Sequence, residues 1–172
     1  MSKLVRNLKR VIKVQPVMTA DDNAEDDVAF EWTAISNFST ENGLASTLQS
    51  VAILDADDSA ADIELFFCIG SDADGTAPTA AQGLVGGAGT GSAVVDITAA
   101  EAQAVQICGN VNIPISEGDL LTALGMTKAN IGLVLQPASN SKIMYIGGIW
   151  RNANPASTGG TATLDIYLGL ED

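Results

Sequence analysis

The fold class is decided by residues 44–69, which read LASTLQSVAILDADDSAADIELFFCI. Two apolar runs, 44–54 and 62–69, flank a break at 55–59 that holds three Asp residues and a Ser. Neither run has the 3.6-residue period of a helix, and Asp and Ser favour turns because their side chains hydrogen-bond to nearby backbone. We therefore expect two strands joined as a hairpin-like unit.

The rest of the chain repeats this pattern of short apolar runs separated by Gly, Asp, Asn, Ser and Pro, which is typical of antiparallel β folds. In residues 28–34, alternate positions are occupied by Val28, Phe30, Trp32 and Ala34, which predicts that these four side chains face the core. Further strands are predicted at 110–115, 120–124, 130–136, 142–150 and 162–170.

One short helix and one long loop interrupt the strands. A capping-box pattern at 98–101 precedes the run 102–107 and predicts the helix. Residues 70–91 hold seven glycines without periodicity and are predicted to be a surface loop. Pro16, which lacks a backbone N–H, places the first strand, 11–17, at a sheet edge. Eight or nine strands without βαβ alternation predict an all-β, two-sheet antiparallel sandwich of jelly-roll type.

Charge divides the chain into a basic N-terminal arm, residues 1–13, and an acidic β-sandwich domain, residues 14–172. Five of the eight basic residues lie in the arm, whereas the domain holds the other three against all 21 acidic residues. An acidic domain repels phosphate backbones, so we do not expect nucleic acid as a partner. The arm is either an amphipathic helix for a membrane or a partner's groove, or a first strand preceded by a solvated leader. The predicted partner-binding residues of the arm are Lys3, Leu4, Arg6, Leu8, Lys9, Arg10 and Lys13.

The chain contains no histidine, which excludes Ser-His-Asp, Cys-His and histidine-metal sites. A glycosidase needs two carboxylates across a sugar cleft that is usually lined by aromatics, and this chain has only eight aromatic residues. We therefore predict no catalytic residues, no cofactor and no enzymatic activity. No apolar run approaches the roughly 20 residues of a membrane helix, and the first residues lack a secretory signal. These features predict a soluble protein that is made in a cytoplasm and has no membrane partner.

Two smaller features carry metal-binding or redox hypotheses. Residues 72–75, Asp-Ala-Asp-Gly, resemble part of a calcium loop but lack its terminal Glu, so they predict an ordinary turn, with calcium as the alternative. Cys68 and Cys108 form no CxxC motif and lie in apolar surroundings. We predict that both cysteines are small buried hydrophobes, with no disulfide framework and no metal site.

A family resemblance spans most of the chain. It is carried by residues 11–16, 27–30, 48–58, 63–67, 129–134 and 164–168, between loops rich in Gly, Ala, Ser and Thr. In these segments the chain resembles head decoration (cement) proteins and other auxiliary virion proteins of tailed bacteriophages, of the cyanophage or marine phage type. The resemblance implies a compact structural β domain that binds the major capsid protein on the outer capsid surface. It further implies a homotrimer or homodimer that is made in the host cytoplasm and resides in the virion.

Two other functional classes are compatible with the same sequence. A carbohydrate-binding jelly-roll module would show an aromatic platform or a calcium site. A structural protein associated with the tail or fibre would copurify with tails after the heads are removed.

Overall fold

The computed structural model describes residues 8–18, 28–55, 62–78, 103–114, 124–152 and 164–172. This part of the chain forms eight β-strands, which together account for nearly all of its regular structure. They are β1 (Lys9–Val14), β2 (Val28–Ile35), β3 (Ser46–Asp55), β4 (Ile63–Cys68), β5 (Ile107–Ile113), β6 (Leu124–Leu135), β7 (Met144–Trp150) and β8 (Leu164–Glu171).

The strands form two four-stranded antiparallel sheets. Sheet A has the order β1-β8-β3-β6, and sheet B has the order β2-β7-β4-β5. The pairings are nested, because β1 pairs with β8, β2 with β7, β3 with β6 and β4 with β5. This nesting of eight strands over two sheets is the jelly-roll arrangement. The predicted sandwich of jelly-roll type is therefore confirmed.

The hydrophobic core lies between the sheets and follows from alternation along the strands. In β8 every second side chain is at most 2% exposed, whereas the intervening ones are half-buried. The large aromatic members of the core are Phe30, Phe38, Phe67 and Trp150, and burial of each such side chain contributes about 1.5–3 kcal/mol. The buried members of β8 are Leu164, Ile166, Leu168 and Leu170.

The predicted hairpin within residues 44–69 is wrong, although both of its strands exist. β3 pairs with β6 and β8 in sheet A, and β4 pairs with β5 and β7 in sheet B. The chain therefore crosses from one sheet to the other between Asp55 and Asp62. Turn-forming residues indicate where a strand ends, but they do not determine which strand it pairs with.

The predicted inward face of residues 28–34 is only partly correct. Phe30 belongs to the core, but Val28 and Trp32 pack with Ile149 in a second cluster outside it, and Ala34 is exposed. Register shifts between Val28 and Phe30 and between Phe30 and Thr33 cause this change. Each bulge inserts a residue and moves the following side chains to the other face of the sheet.

Other boundaries differ from the prediction for local reasons. Residues 103–106 form a single turn, and Ile107 already belongs to β5, while 98–102 lie outside the described residues. Of the predicted strand at 120–124 only Leu124 is described, and it is the first residue of β6. The predicted strand at 130–136 coincides with the second half of β6. Positive φ angles at Asn130 (57°) and Gly132 (67°) interrupt the alternation of β6. Of the predicted loop, residues 70–78 are described.

Candidate protein-binding surface on the first strand

The structure describes four of the seven predicted arm residues, which are Leu8, Lys9, Arg10 and Lys13. Lys9, Arg10 and Lys13 lie in β1, which pairs with β8 at the edge of sheet A, so residues 9–13 belong to the sandwich. This corrects their assignment to a separate arm and agrees with the alternative of a first strand. Leu8 precedes β1 and is 47% exposed. Lys3, Leu4 and Arg6 lie outside the described residues.

Arg10 is engaged inside the protein. Its guanidinium donates from Nε and Nη2 to the two carboxylate oxygens of Asp172, at 3.0 and 2.8 Å, in a bidentate pair. It also donates to the backbone carbonyls of Asn37, at 2.5 Å, and of Phe38. Ser46 donates its hydroxyl to the same carboxylate. Arg10 thus joins β1 to the end of β8 and to the segment between β2 and β3, so its charge is not available for a partner.

The electrostatics of Asp172 agree with this structural role. Its carboxylate is 5% exposed, and burial alone would raise its pKa. The hydrogen bonds from Arg10 and Ser46 outweigh that effect and hold the pKa of Asp172 below its ordinary value. The ionised form is therefore the one that the fold stabilises.

Lys13 is also paired within sheet A. Its Nζ lies 2.8 Å from Asp165 Oδ2 and 5.7 Å from the centre of the Tyr167 ring. The hydrogen bond to Asp165 raises the pKa of Lys13, and the same bond lowers the pKa of Asp165. Both side chains lie at the surface, where solvent screens such a pair and it contributes little to stability. Lys13 therefore has a local partner already.

Three neighbouring residues of β1 and its start remain available to a partner. Lys9 is exposed, no ion pair among the described residues involves it, and Leu8 and Val11 are 47% and 69% exposed. They adjoin an open groove of about 460 Å³ on sheet A. The groove is lined by Lys9, Arg10, Val11, Gln49, Ser50, Gly169, Leu170 and Glu171. Exposed aliphatic side chains with a charged residue at their rim form a surface that a protein partner can cover.

Residues 72–75, predicted to be an ordinary turn with a calcium loop as the alternative, form an Asp-centred turn. Asp72 Oδ1 accepts hydrogen bonds from the backbone N–H groups of Asp74 and Thr76, at 3.0 and 2.9 Å. The Thr76 side chain and backbone are the main causes of the lowered pKa of Asp72. Asn140 and Tyr145 tie the turn to the sandwich, the latter through its hydroxyl, which donates to Gly75 O at 3.0 Å. Among the described residues no group of three His, Cys, Asp or Glu side chains is placed to hold a metal ion.

The two cysteines have different environments, so the prediction holds for one of them. Cys68 is buried, and burial raises the pKa of its thiol. Cys108 is an exposed residue of β5, which corrects the expectation of burial. Its Sγ donates to the Phe67 carbonyl at 3.4 Å, and partial desolvation raises the pKa of its thiol to about 11. Both thiols are therefore protonated at neutral pH.

The outer face of sheet B carries an apolar layer that sequence reasoning missed. Trp32 and Phe66 are half-buried there, and Tyr145 and Ile149 are 6% and 3% exposed. Beside them lies Glu64, which accepts hydrogen bonds from the side chains of Asn110 and Arg151. The bulges of β2 explain the omission, because they turn Val28 and Trp32 to this face.

The structure has no helix, within its described residues, that is long and apolar enough to cross a membrane.

No protein-family model matches the chain, and no curated relative matches it. Among solved structures the chain is similar to one titled Desmodium yellow mottle tymovirus, with 12% sequence identity and a TM-score of 0.31. The match covers 99% of this chain and 85% of that chain. At this TM-score the likeness carries no weight, so the fold assignment rests on strand order and register.

Proposed function

We propose that this chain is a non-enzymatic structural protein of a virion, which binds the outer surface of a phage capsid lattice and stabilises it. The observation that carries the proposal is the nested strand order over two sheets. Double-sheet jelly rolls occur in viral capsid domains, lectins and cupins, and the first two correspond to the structural and carbohydrate-binding classes that the sequence allows. The resemblance to decoration proteins favours the first.

The start of β1 supplies the partner-binding surface in this proposal. Leu8 and Lys9 are exposed and connect directly to Lys3, Leu4 and Arg6 in the preceding segment. The cations steer the encounter with an acidic surface of the major capsid protein, and the leucines supply apolar burial. Each contact is small, but many copies act together on a lattice, so modest affinity per copy is sufficient.

Electron microscopy of the native particle tests the role directly. We expect density for an eight-stranded sandwich on the outer surface of the head at a fixed lattice position. Density confined to the tail or fibres would favour the tail-associated class instead. Particles that contain no copy of the chain would contradict any virion role.

The binding surface is tested by substitution, with purified protein rebinding to particles from which it has been stripped. Replacing Lys3, Arg6 and Lys9 by Gln should slow association and flatten its salt dependence, because rim charges act mainly on the encounter rate. Replacing Leu4 and Leu8 by Ser should speed dissociation. The matched control replaces Lys128 and Lys142 by Gln, which removes charge elsewhere on the sandwich. Equal kinetics for all variants across a salt series would refute the assignment.

A carbohydrate-binding role is the second candidate, and the outer face of sheet B favours it. Trp32 and Phe66 pack against the same cluster on this face, and Asn110 is the register partner of Phe66. Aromatic rings with a nearby amide suit sugar recognition. The half-buried packing of Trp32 and Phe66 makes a less open platform than a sugar requires, which ranks this role second. Glycan-array binding that is lost in Trp32→Ala and kept in the Lys3, Arg6 and Lys9 variant would establish it.

A further inference from the structure

On the outer face of sheet A, register partners on neighbouring strands lie side by side and form rows across the four strands. One row runs Lys9, Glu171, Thr47 and Val134 across the four strands of sheet A. The next row runs Val11, Gly169, Ser50 and Ala129. The third runs Lys13, Tyr167, Ala52 and Thr127. Small side chains dominate the middle of this face, so another surface can approach the backbone closely.

The second row sets a projecting side chain beside a depression. Val11 is 69% exposed and projects from β1. Its cross-strand neighbour Gly169 has no side chain, and the Ser50 hydroxyl lies where its Cβ would be, because a Cβ built there would be 2.3 Å from Ser50 Oγ. Gly169 and Ser50 line the groove of about 460 Å³, whose floor is low beside Val11 because no larger side chain rises there. A projecting valine and a shallow groove therefore lie next to each other on one face.

The first row carries a positive and a negative side chain next to each other, so its charges are complementary to those of the same row in a second copy. Lys9 and Glu171 are register partners on β1 and β8, with opposite charges. Glu171 accepts a hydrogen bond from Gln49 at 3.1 Å, which orients its carboxylate at the rim of the groove. A two-fold axis parallel to the strands, between β1 and β8, sets Lys9 of one copy over Glu171 of the other. The same rotation sets Val11 over Gly169.

We infer that this face of β1 and β8 is an interface with a second copy of this chain. A two-fold contact requires a patch that is complementary to itself, and the Lys9–Glu171 and Val11–Gly169 pairs both meet that requirement. Two strands per copy make a small interface, so the association is weak and becomes effective between neighbouring copies on a lattice. Lys9 belongs both to this interface and to the proposed capsid-binding surface, so the interface is tested on purified protein alone, where its failure is distinguishable from failure of the proposed capsid role.

Sedimentation velocity across the micromolar range tests the interface by comparing two single variants, each of which replaces an exposed valine by Asp. The parent chain should form a dimer, and Val11→Asp should weaken dimerisation by about 30-fold or more, the effect of losing a central anchor. The matched control is Val17→Asp, which changes a valine that is 88% exposed and lies outside the groove. A parent that stays monomeric throughout, or a dimer that Val11→Asp leaves unchanged, overturns the proposal.

A charge exchange tests the geometry itself. Lys9→Glu alone and Glu171→Lys alone should each lose dimerisation, because like charges then face each other across the axis. A mixture of the two variants should form a heterodimer, since each contact is again a pair of opposite charges. A mixture that stays monomeric while the parent dimerises would show that the copies do not meet in this register, and it would overturn the assignment.

Discussion

At the residue scale, Arg10 shows how a charge can be misread from sequence. It lies in a run of cations that resembles a partner-binding arm, yet its guanidinium is fixed by Asp172 and by the carbonyls of Asn37 and Phe38. The residue that decides its role is 162 positions away in the chain. Local composition cannot reveal such a contact, because its two residues lie near opposite ends of the chain.

Arg10→Gln should lower the free energy of unfolding by about 2–3 kcal/mol, because it leaves the buried carboxylate of Asp172 without its charged donor. Urea denaturation followed by circular dichroism at neutral pH measures the change. Lys142→Gln, at an exposed position, should leave the midpoint unchanged. Equal midpoints for Arg10→Gln and the parent would show that the bidentate pair adds nothing.

The lowered pKa of Asp172 predicts a pH dependence of stability. Because its pKa is lower in the folded chain than in the unfolded chain, where it is about 3.9, ionisation stabilises the fold above that pH. This contribution is lost as the pH falls through the folded value. Asp172→Asn should therefore be less stable than the parent at pH about 7, with the gap narrowing toward pH about 2. A gap that is constant over this range would contradict the assignment.

At the element scale, β1 belongs to the sandwich even though its sequence is that of a basic leader. It forms six register pairs with β8, from Lys9–Glu171 to Val14–Ile166, and Ile12 packs against the core. Lysines on an edge strand also discourage uncontrolled pairing with other chains. The cations of β1 are thus part of how the edge of sheet A is protected.

Two truncations separate the leader from the strand. Deleting residues 1–7 should leave the unfolding midpoint close to that of the parent, because all six β1–β8 pairs are kept. Deleting residues 1–13 should lower the free energy of unfolding by about 4–5 kcal/mol, through loss of Ile12 burial and of the Arg10–Asp172 pair. Equal stability of the two truncated chains would show that β1 is dispensable.

At the scale of the whole molecule, the sequence was sufficient to predict the fold class but not to predict which strands pair with each other. The alternation of β8 can be read directly, since Leu164, Ile166, Leu168 and Leu170 are all buried. The partner strands of β3 cannot be predicted in this way, because they lie at 124–135 and 164–171 and no local sequence pattern specifies them. The apolar layer around Trp32 was hidden for another reason, the two bulges of β2. Of the candidate site, Leu8 and Lys9 were foreseen, whereas Val11 and Gly169 required the register.

The nested topology predicts slow folding. The pairs β1–β8 and β2–β7 join strands at opposite ends of the chain, so long loops must close before these contacts form. All-β sandwiches of high contact order fold in milliseconds to seconds, and chains of this length often populate intermediates. Trp150 is 2% exposed in the core, so its fluorescence follows the final packing of the core. Trp32→Phe removes the fluorescence of the other tryptophan in the chain.

In stopped-flow refolding of the Trp32→Phe chain, we expect the Trp150 fluorescence change to take about a second or longer. Deleting residues 1–13 removes β1 and the most distant pairing, so the refolding of that chain should lose its slowest phase while keeping the rest of the signal. Deleting residues 1–7 is the control, since β1 is kept, and its kinetics should match the parent. A parent chain that refolds completely in microseconds would be incompatible with pairing between the two ends of the chain as a late step.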